Sequence, residues 1–357
     1  MNAASGPSRV ALLFGGRSGE HEVSLRSAVS VMRALRVAHD VVPVLIDKSG
    51  RWLLQDGTQP AAAGGIPVFL VPDPNDQGRL RRLSDASVAA APEIYFPLLH
   101  GTYGEDGTIQ GLFEMAGVAY VGAGVAASAA GMDKELMKGL FAARGIPQVA
   151  YRVLDRRDAG AEAALLRELG LPLFVKPANL GSSVAVTKVK EAHALGPALE
   201  AAFAYDRKAI VEVGLTAREL EVSVLGNDSP EASRPGEIVP DREFYDYDSK
   251  YSEHSRTELR LPAPLLPAVE AEVRALGVAA FRAVDACGYA RVDFFLEHAS
   301  ARLLVNEINT IPGFTSISMF PKMWEASGLS YERLLTRLLE LGQERHARRA
   351  ALRTDYR

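Results

Sequence analysis

At 357 residues, with 48% hydrophobic and 24% charged residues, the chain has ordinary globular composition and room for two or three domains. A net charge of −4 without a long basic run argues against nucleic acid as the main partner, while leaving room for a locally basic, phosphate-binding cleft. The longest uncharged run, Met115 to Met132, is alanine-rich and broken by four glycines, which argues against a membrane helix, and the single cysteine, Cys287, allows no intrachain disulfide.

The N-terminus has no basic segment followed by an apolar core, so a cytoplasmic protein is expected, with Cys287 a small core residue at a helix end. Arg9 to Phe14 reads as a strand, Gly15-Gly16 as a turn, Ser24 to Val37 as a helix and Val41 to Ile46 as a second strand. This opening is expected to be a parallel α/β domain, whose ligands bind beyond the strand C-termini. Glu20 lies at such an end and suits either an ammonium ligand or, together with Glu22, helix capping. Arg51 to Asp85 is rich in Pro, Gly and Ala and is assigned no chemistry.

A strand over Glu93 to Leu99 leads into the polar, glycine-rich loop from His100 to Gly107, followed by a helix from Thr108 to Ala116. His100 reads equally as a loop-bracing hydrogen bonder or as a participant in chemistry. Tyr120 to Ala127 loosely matches a dinucleotide fingerprint, but no acidic residue follows at the required distance, so a dehydrogenase is disfavoured and the stretch reads as a strand-to-helix turn. The helix from Asp133 to Arg144 carries Lys134 and Lys138 on one side, and Lys138 reads as part of a solvated face.

From Gln148 a small α+β region is expected: strands Gln148 to Leu154, Leu173 to Lys176, Val184 to Val189 and Ala209 to Val213, with helices Ala161 to Leu169 and Glu191 to Tyr205. Lys176 precedes the loop Gly181-Ser182-Ser183, which suits either phosphate oxygens or a hairpin turn. No Walker A pattern occurs, so a P-loop NTPase is disfavoured. Glu212 and Glu219 flank the connection into a strand from Leu220 to Leu225. The aperiodic stretch Phe244 to Arg256, containing Lys250 and Tyr251, reads as a lid or binding loop. Leu266 to Ala286 is a packing helix, Tyr331 to Leu341 a closing helix, and His346 to Arg357 a solvated, frayed basic tail.

The most informative stretch is a hairpin of Arg291 to Leu296 and Leu303 to Asn309, continuing to Ser318. Alternation puts Arg291 and Asp293 on one face of the first strand, and Glu307 and Asn309 on one face of the second. Two carboxylates and an amide oxygen are hard ligands of the kind Mg²⁺ takes, and the adjacent arginine suggests phosphoryl transfer.

These motifs, in this order, resemble the D-alanine:D-alanine ligase family of the ATP-grasp superfamily. The resemblance rests on Gly15 to Leu25, His100 to Gly111, Met132-Asp133-Lys134, Val175 to Ser183, the Tyr245 to Tyr251 loop, Arg291-Val292-Asp293 and Asn306 to Ser316, with Ala185 a departure where the family often has glycine. It implies a three-domain ATP-grasp fold: an N-terminal α/β substrate domain over 1–121 and two α+β subdomains, 122–214 and 215–345, that sandwich ATP, with a lid over 244–256 and a tail over 346–357. The implied reaction joins two D-alanines through an acyl phosphate, for peptidoglycan precursor synthesis in the cytoplasm. A homodimer is expected on the same ground.

By motif position, Lys134 and Lys176 are expected on ATP phosphates, and Glu212, Glu219, Phe295 and Asn306 elsewhere on the nucleotide. Asp293, Glu307 and Asn309 would bind two Mg²⁺ or Mn²⁺ ions, while Arg291 and the Gly313 N–H would stabilise the tetrahedral oxyanion. Glu20 would hold the first substrate's ammonium, His100 would belong to the substrate site and Ser318 would take the second carboxylate. Ser182 and Tyr251 would link to Glu20 in closing the lid, with Lys250 near the γ-phosphate. The alternatives are a ligase using another acceptor, such as D-lactate or D-serine, and a non-catalytic nucleotide-binding module, which the retained metal ligands argue against.

Overall fold

A computed structural model of the chain describes residues 7–158, 160, 162–181, 185–240, 257–315 and 317–353. Ser182, Lys250, Tyr251 and all of the expected lid, residues 244–256, lie outside the described residues.

The N-terminal region holds β1 (Arg9–Gly15), β2 (Asp40–Ile46), β3 (Trp52–Leu54), β4 (Ile66–Leu70), β5 (Leu80–Arg82), β6 (Val88–Ala90), β7 (Ile94–Pro97) and β8 (Ala119–Tyr120), with α1 (His21–Leu35) and α2 (Thr108–Met115). They form one sheet in the order β6-β5-β4-β3-β2-β1-β7-β8. The expectation of a parallel domain holds for half of it. β1 pairs parallel with β2 and β7, and β7 with β8, but β2 through β6 run antiparallel to one another. Most of the antiparallel half comes from the Pro-, Gly- and Ala-rich stretch 51–85, where strands of three to five residues are too short for alternation to register. Gly15 ends β1 at φ +90°, and a Cβ there would lie 2.3 Å from Ile46 O, so the turn into α1 requires glycine.

After α3 (Val125–Met132) and α4 (Lys134–Ala143) comes an antiparallel sheet of β9 (Tyr151–Asp155), β10 (Leu173–Pro177), β11 (Thr187–Val189) and β12 (Lys208–Val213), ordered β11-β10-β12-β9. One face buries Leu173, Val175, Ala209 and Val211 in a cluster with Leu165 of α5 (Glu162–Leu169) and Leu199 of α6 (Leu195–Phe203). The expected Glu191–Tyr205 helix is shorter than the periodicity suggested, with a 3₁₀ turn at Ala192–Ala194 ahead of α6.

The C-terminal sheet contains β13 (Ala217–Gly226), β14 (Glu231–Ala232), β15 (Gly236–Val239), β16 (Glu258–Arg260), β17 (Gly288–Glu297) and β18 (Leu303–Asn309). Its apolar face, with Leu220, Val222, Ala290, Val292 and Val305, packs against Val273 and Phe281 of α7 (Pro267–Ala283). Period-two alternation therefore turns the polar residues of β13, β17 and β18 to the opposite face.

α8 (Met319–Glu325) and α9 (Tyr331–Ala350) return to the N-terminal sheet, so that Leu12 and Phe96 share a buried cluster with Phe314, Phe320 and Leu338. Burying each phenylalanine contributes roughly 2–3 kcal/mol. This shared core ties the segment after β18 to the N-terminal loops. The basic tail does not fray where expected: α9 continues to Ala350, with Arg345 and Arg349 ion-paired to Glu114 at 3.0 and 2.6 Å and Arg348 paired to Asp228. Cys287 is half-buried, its Sγ 3.7 Å from Gly122 O.

Candidate active site

The polar face of the C-terminal sheet sets the frame of the site. Asp293 stands opposite Glu307 on one side and Glu221 on the other, while Arg291 stands opposite Asn309. Arg291 donates from Nε and Nη2 to the two oxygens of Asp293 at 2.7 Å each, its Nε lies 3.2 Å from Glu221, and Asn309 Nδ2 donates to Asp293 Oδ2 at 3.1 Å. Burial alone would lower the guanidinium pKa, but Asp293 and Glu221 outweigh it and raise it well above its ordinary value. A β-bulge between Asp293 and Phe294 shifts the register, leaving Phe295 opposite Glu219 and Leu304. Asn306 is half-buried in the same segment, its Oδ1 without a hydrogen-bond partner among the described residues.

The N-terminal loops face this sheet. Glu22 is the acid of the first turn of α1, whereas Glu20 stands at its N-cap with no capping bond from the side chain. Its carboxylate instead reaches the glycine loops, where a Cβ on Gly101 or Gly181 would lie 3.0 or 3.5 Å from Oε2. Glu22, in the first turn, pairs with Lys48 at 2.6 Å. His100 is buried and braces two segments: Nδ1 lies 2.9 Å from Ile311 O, and Nε2 lies 3.4 Å from Ser27 Oγ. Glu105, which sequence reading passed over, accepts from Gly101 N at 2.8 Å, and burial reinforced by the Glu20 charge pushes its carboxyl up to about 8.

These groups line one cleft of about 820 Å³, into which Glu20, His100, Lys134, Arg291, Glu307 and Asn309 converge from three parts of the chain. Gly313 and Ser318 line it too. The Ser318 Oγ accepts from Thr315 N at 2.9 Å and lies 2.8 Å from Thr315 Oγ1. Arg26 and Lys322 add cationic groups to the lining that no motif had marked.

A second cluster lies between α4 and the four-stranded sheet. Glu212 is buried, with Lys138 Nζ 2.7 Å from one oxygen and Lys176 Nζ 2.6 Å from the other. Burial alone would raise the Glu212 carboxyl, but the two ammoniums outweigh it and hold it at about 2. Lys138 is 0% exposed, so the expected solvated face is wrong. It sits at i+4 from Lys134, and that shared helical face is turned inward onto β12. Lys134 donates to Leu180 O at 2.6 Å, and burial pushes its pKa down. Asp133 caps α4 by accepting from Glu135 N and Leu136 N, and Lys208 pins both Asp133 and Glu135 at 2.6 Å.

Asp293, Glu307 and Asn309 offer two carboxylates and an amide on one sheet face, a hard-oxygen set that fits Mg²⁺ completing its shell with water and phosphate. No cluster of three or more His, Cys, Asp or Glu suited to a metal occurs among the described residues. Among them, too, no helix is long and apolar enough to cross a membrane. Glu221 was missed although its signal was available: it is two residues from Glu219 on β13 and shares that strand face. Glu105 had no comparable signal, since nothing in a glycine-rich loop announces burial.

An α/β domain followed by two α+β layers, with buried lysines on one layer and carboxylates on the other, defines an ATP-grasp ligase architecture. Comparison with known proteins carries this further. The chain matches the family models for the D-ala D-ala ligase N-terminus over residues 9–123 and C-terminus over residues 140–340. It is 49% identical over 351 residues to the D-alanine–D-alanine ligase of Heliobacterium modesticaldum, covering 94% of this chain and 95% of that one. To the enzyme of the same name from Deinococcus radiodurans it is 50% identical over 343 residues, covering 94% and 98%. Among solved structures, the D-alanine-D-alanine ligase of Coxiella burnetii superposes with a TM-score of 0.84 at 38% identity, covering 96% of this chain and 97% of that one. The VanG D-Ala:D-Ser ligase of Enterococcus faecalis superposes with 0.85 at 33% identity, covering 94% and 99%. The chain belongs to the D-alanine–D-alanine ligase family.

Proposed function

We propose that the protein uses ATP to join two D-alanines into D-alanyl-D-alanine, releasing ADP and phosphate, as a step toward peptidoglycan precursors. The observation that carries this reading is the convergence of Glu20, Arg291, Glu307 and Ser318 on one cleft. A carboxylate repels nucleophiles and is a poor leaving group, and phosphorylation removes both obstacles. An oxygen of the first D-alanine carboxylate attacks the γ-phosphorus, and the bond from that phosphorus to ADP breaks. The amine of the second D-alanine, having lost a proton, attacks the acyl carbon, and phosphate leaves as the peptide bond forms.

Glu20 holds the first ammonium, with His100 bracing the loop beside it. Arg291, whose bonds to Asp293 use only Nε and Nη2, supports the developing oxyanion together with the Gly313 N–H. Ser318 takes the second carboxylate. Lys134 and Lys176 hold phosphates, while Glu212, Glu219, Phe295 and Asn306 serve the rest of the nucleotide. Asp293, Glu307 and Asn309 hold two Mg²⁺ or Mn²⁺ ions, which when bound neutralise phosphate charge. Ser182, Lys250 and Tyr251 complete the reading by motif position and lie outside the described residues. The family resemblance further supports a homodimer working in the cytoplasm.

Five curated relatives at 42–50% identity carry the D-alanine–D-alanine ligase name, so D-alanine is favoured as acceptor over D-serine or D-lactate. The test is phosphate release by purified protein with ATP and Mg²⁺. D-alanine should support it and L-alanine should not, and addition of D-lactate should form no depsipeptide. Equal rates with both alanines would remove the stereospecific reading.

A further inference from the structure

The Lys138–Glu212–Lys176 triad poses a question that nucleotide binding alone does not answer: why two cations share one buried carboxylate. Glu212 is on β12, opposite Phe174 of β10 and Tyr151 of β9, and α4 lays Lys138 over it. The two lysines differ in access. Lys176 keeps 9% exposure, whereas Lys138 keeps none and has the Tyr151 ring 5.1 Å from its Nζ. Lys138 presents no surface to a ligand in this structure.

Its effect must therefore pass through Glu212. Stripping a buried carboxylate of its counter-ion leaves an uncompensated charge in a poorly solvated place, which is strongly unfavourable. Were Lys176 the only partner, turning its charge toward a phosphate would leave Glu212 in that state. With Lys138 fixed on the other oxygen, Glu212 stays compensated whatever Lys176 does.

We propose that Lys138 is a positioning residue for nucleotide binding: as the permanent counter-ion of Glu212, it frees Lys176 to turn toward a nucleotide phosphate. This rests on the ATP-dependent reading above and extends it to a residue that touches no substrate.

The test is calorimetric binding of a non-hydrolysable ATP analogue with Mg²⁺ to full-length wild type, Lys138→Met, Glu212→Gln and the double variant. Lys138→Met should weaken binding about tenfold in the wild-type background and less than about twofold in the Glu212→Gln background, where no carboxylate remains to trap Lys176. D-alanine binding should change less than about twofold in each. A packing role predicts equal penalties in both backgrounds, and that result, or no penalty in either, overturns the proposal. If Lys138→Met does not fold, Lys138→Gln, which removes the charge but keeps a donor, is read by the same criterion. Absence of binding by the wild type would overturn the nucleotide reading itself, whereas wild-type binding with equal penalties would overturn the Lys138 assignment alone.

Discussion

Asp293 faces Glu307 directly across the β17–β18 pair, and each is in electrostatic reach of the half-buried Arg291 guanidinium. Two carboxylates at adjacent positions on one sheet face repel each other unless cations intervene. Arg291 supplies one such charge, bonded to both oxygens of Asp293.

If the remaining charge is supplied by metal ions during turnover, neutralising Glu307 removes a ligand without removing its volume. Glu307→Gln should lower kcat at least about a hundredfold, the scale of losing a principal stabiliser of transition-state charge. Steady-state kinetics at saturating ATP, Mg²⁺ and D-alanine measures this, and a near-wild-type kcat would take Glu307 out of the metal site.

Glu105 is expected to make stability depend on pH. Its folded pKa of about 8 is above the carboxyl's ordinary 4.5, chiefly through burial, with the Glu20 and Glu307 charges adding to the rise and the Gly101 N–H and Arg291 opposing it. The folded state thus holds a proton that the unfolded chain gives up, so this stability is fully present below about pH 4.5 and is lost as pH rises to about 8. Glu105→Gln cannot titrate and should flatten the fall of Tm across that window. Parallel Tm profiles for wild type and variant would show that Glu105 is charged in the folded protein.

At the start of α4, Asp133 caps the helix that carries Lys134 and Lys138 and bonds Lys208. Asp133→Ala should destabilise the protein by about 1–2 kcal/mol, as the loss of a hydrogen-bonded cap does. Urea unfolding monitored by circular dichroism reads this directly. The same variant should bind ATP less tightly, since the first turn of α4 holds Lys134.

Gly313 and Ser318 are packed closely enough that a single methyl group couples them. A Cβ on Gly313 would lie 2.9 Å from Ser318 Oγ. Gly313→Ala must therefore swing the hydroxyl away from its contacts with Thr315. The expected outcome is about a tenfold higher KM for the second D-alanine, the cost of one lost hydrogen-bonded anchor. An unchanged KM would show that Ser318 does not hold the acceptor.

The β17–β18 hairpin was legible because both strands are long enough for period-two alternation to separate an apolar face from a polar one. Arg291, Asp293, Glu307 and Asn309 fall where that alternation puts them. Lys138 was misread because helical periodicity shows which residues share a face, not what covers it. The antiparallel half of the first sheet was invisible for want of length. The last turns of α9 were missed for a different reason: from Gly342 onward the apolar stripe stops, while Gln, Glu, Arg and Ala keep helix propensity high. There Arg345 docks on the Tyr120 ring, 3.8 Å from its centroid, a partner more than 200 residues away that no local pattern encodes.

The most direct test of the account follows one atom. D-alanine labelled with heavy oxygen in its carboxylate, incubated with the protein, ATP and Mg²⁺, should yield dipeptide and inorganic phosphate carrying one labelled oxygen, because that oxygen attacks the γ-phosphorus and departs with it. Dipeptide formed with unlabelled phosphate would contradict carboxylate phosphorylation and, with it, the roles assigned to Arg291, Glu307 and Gly313.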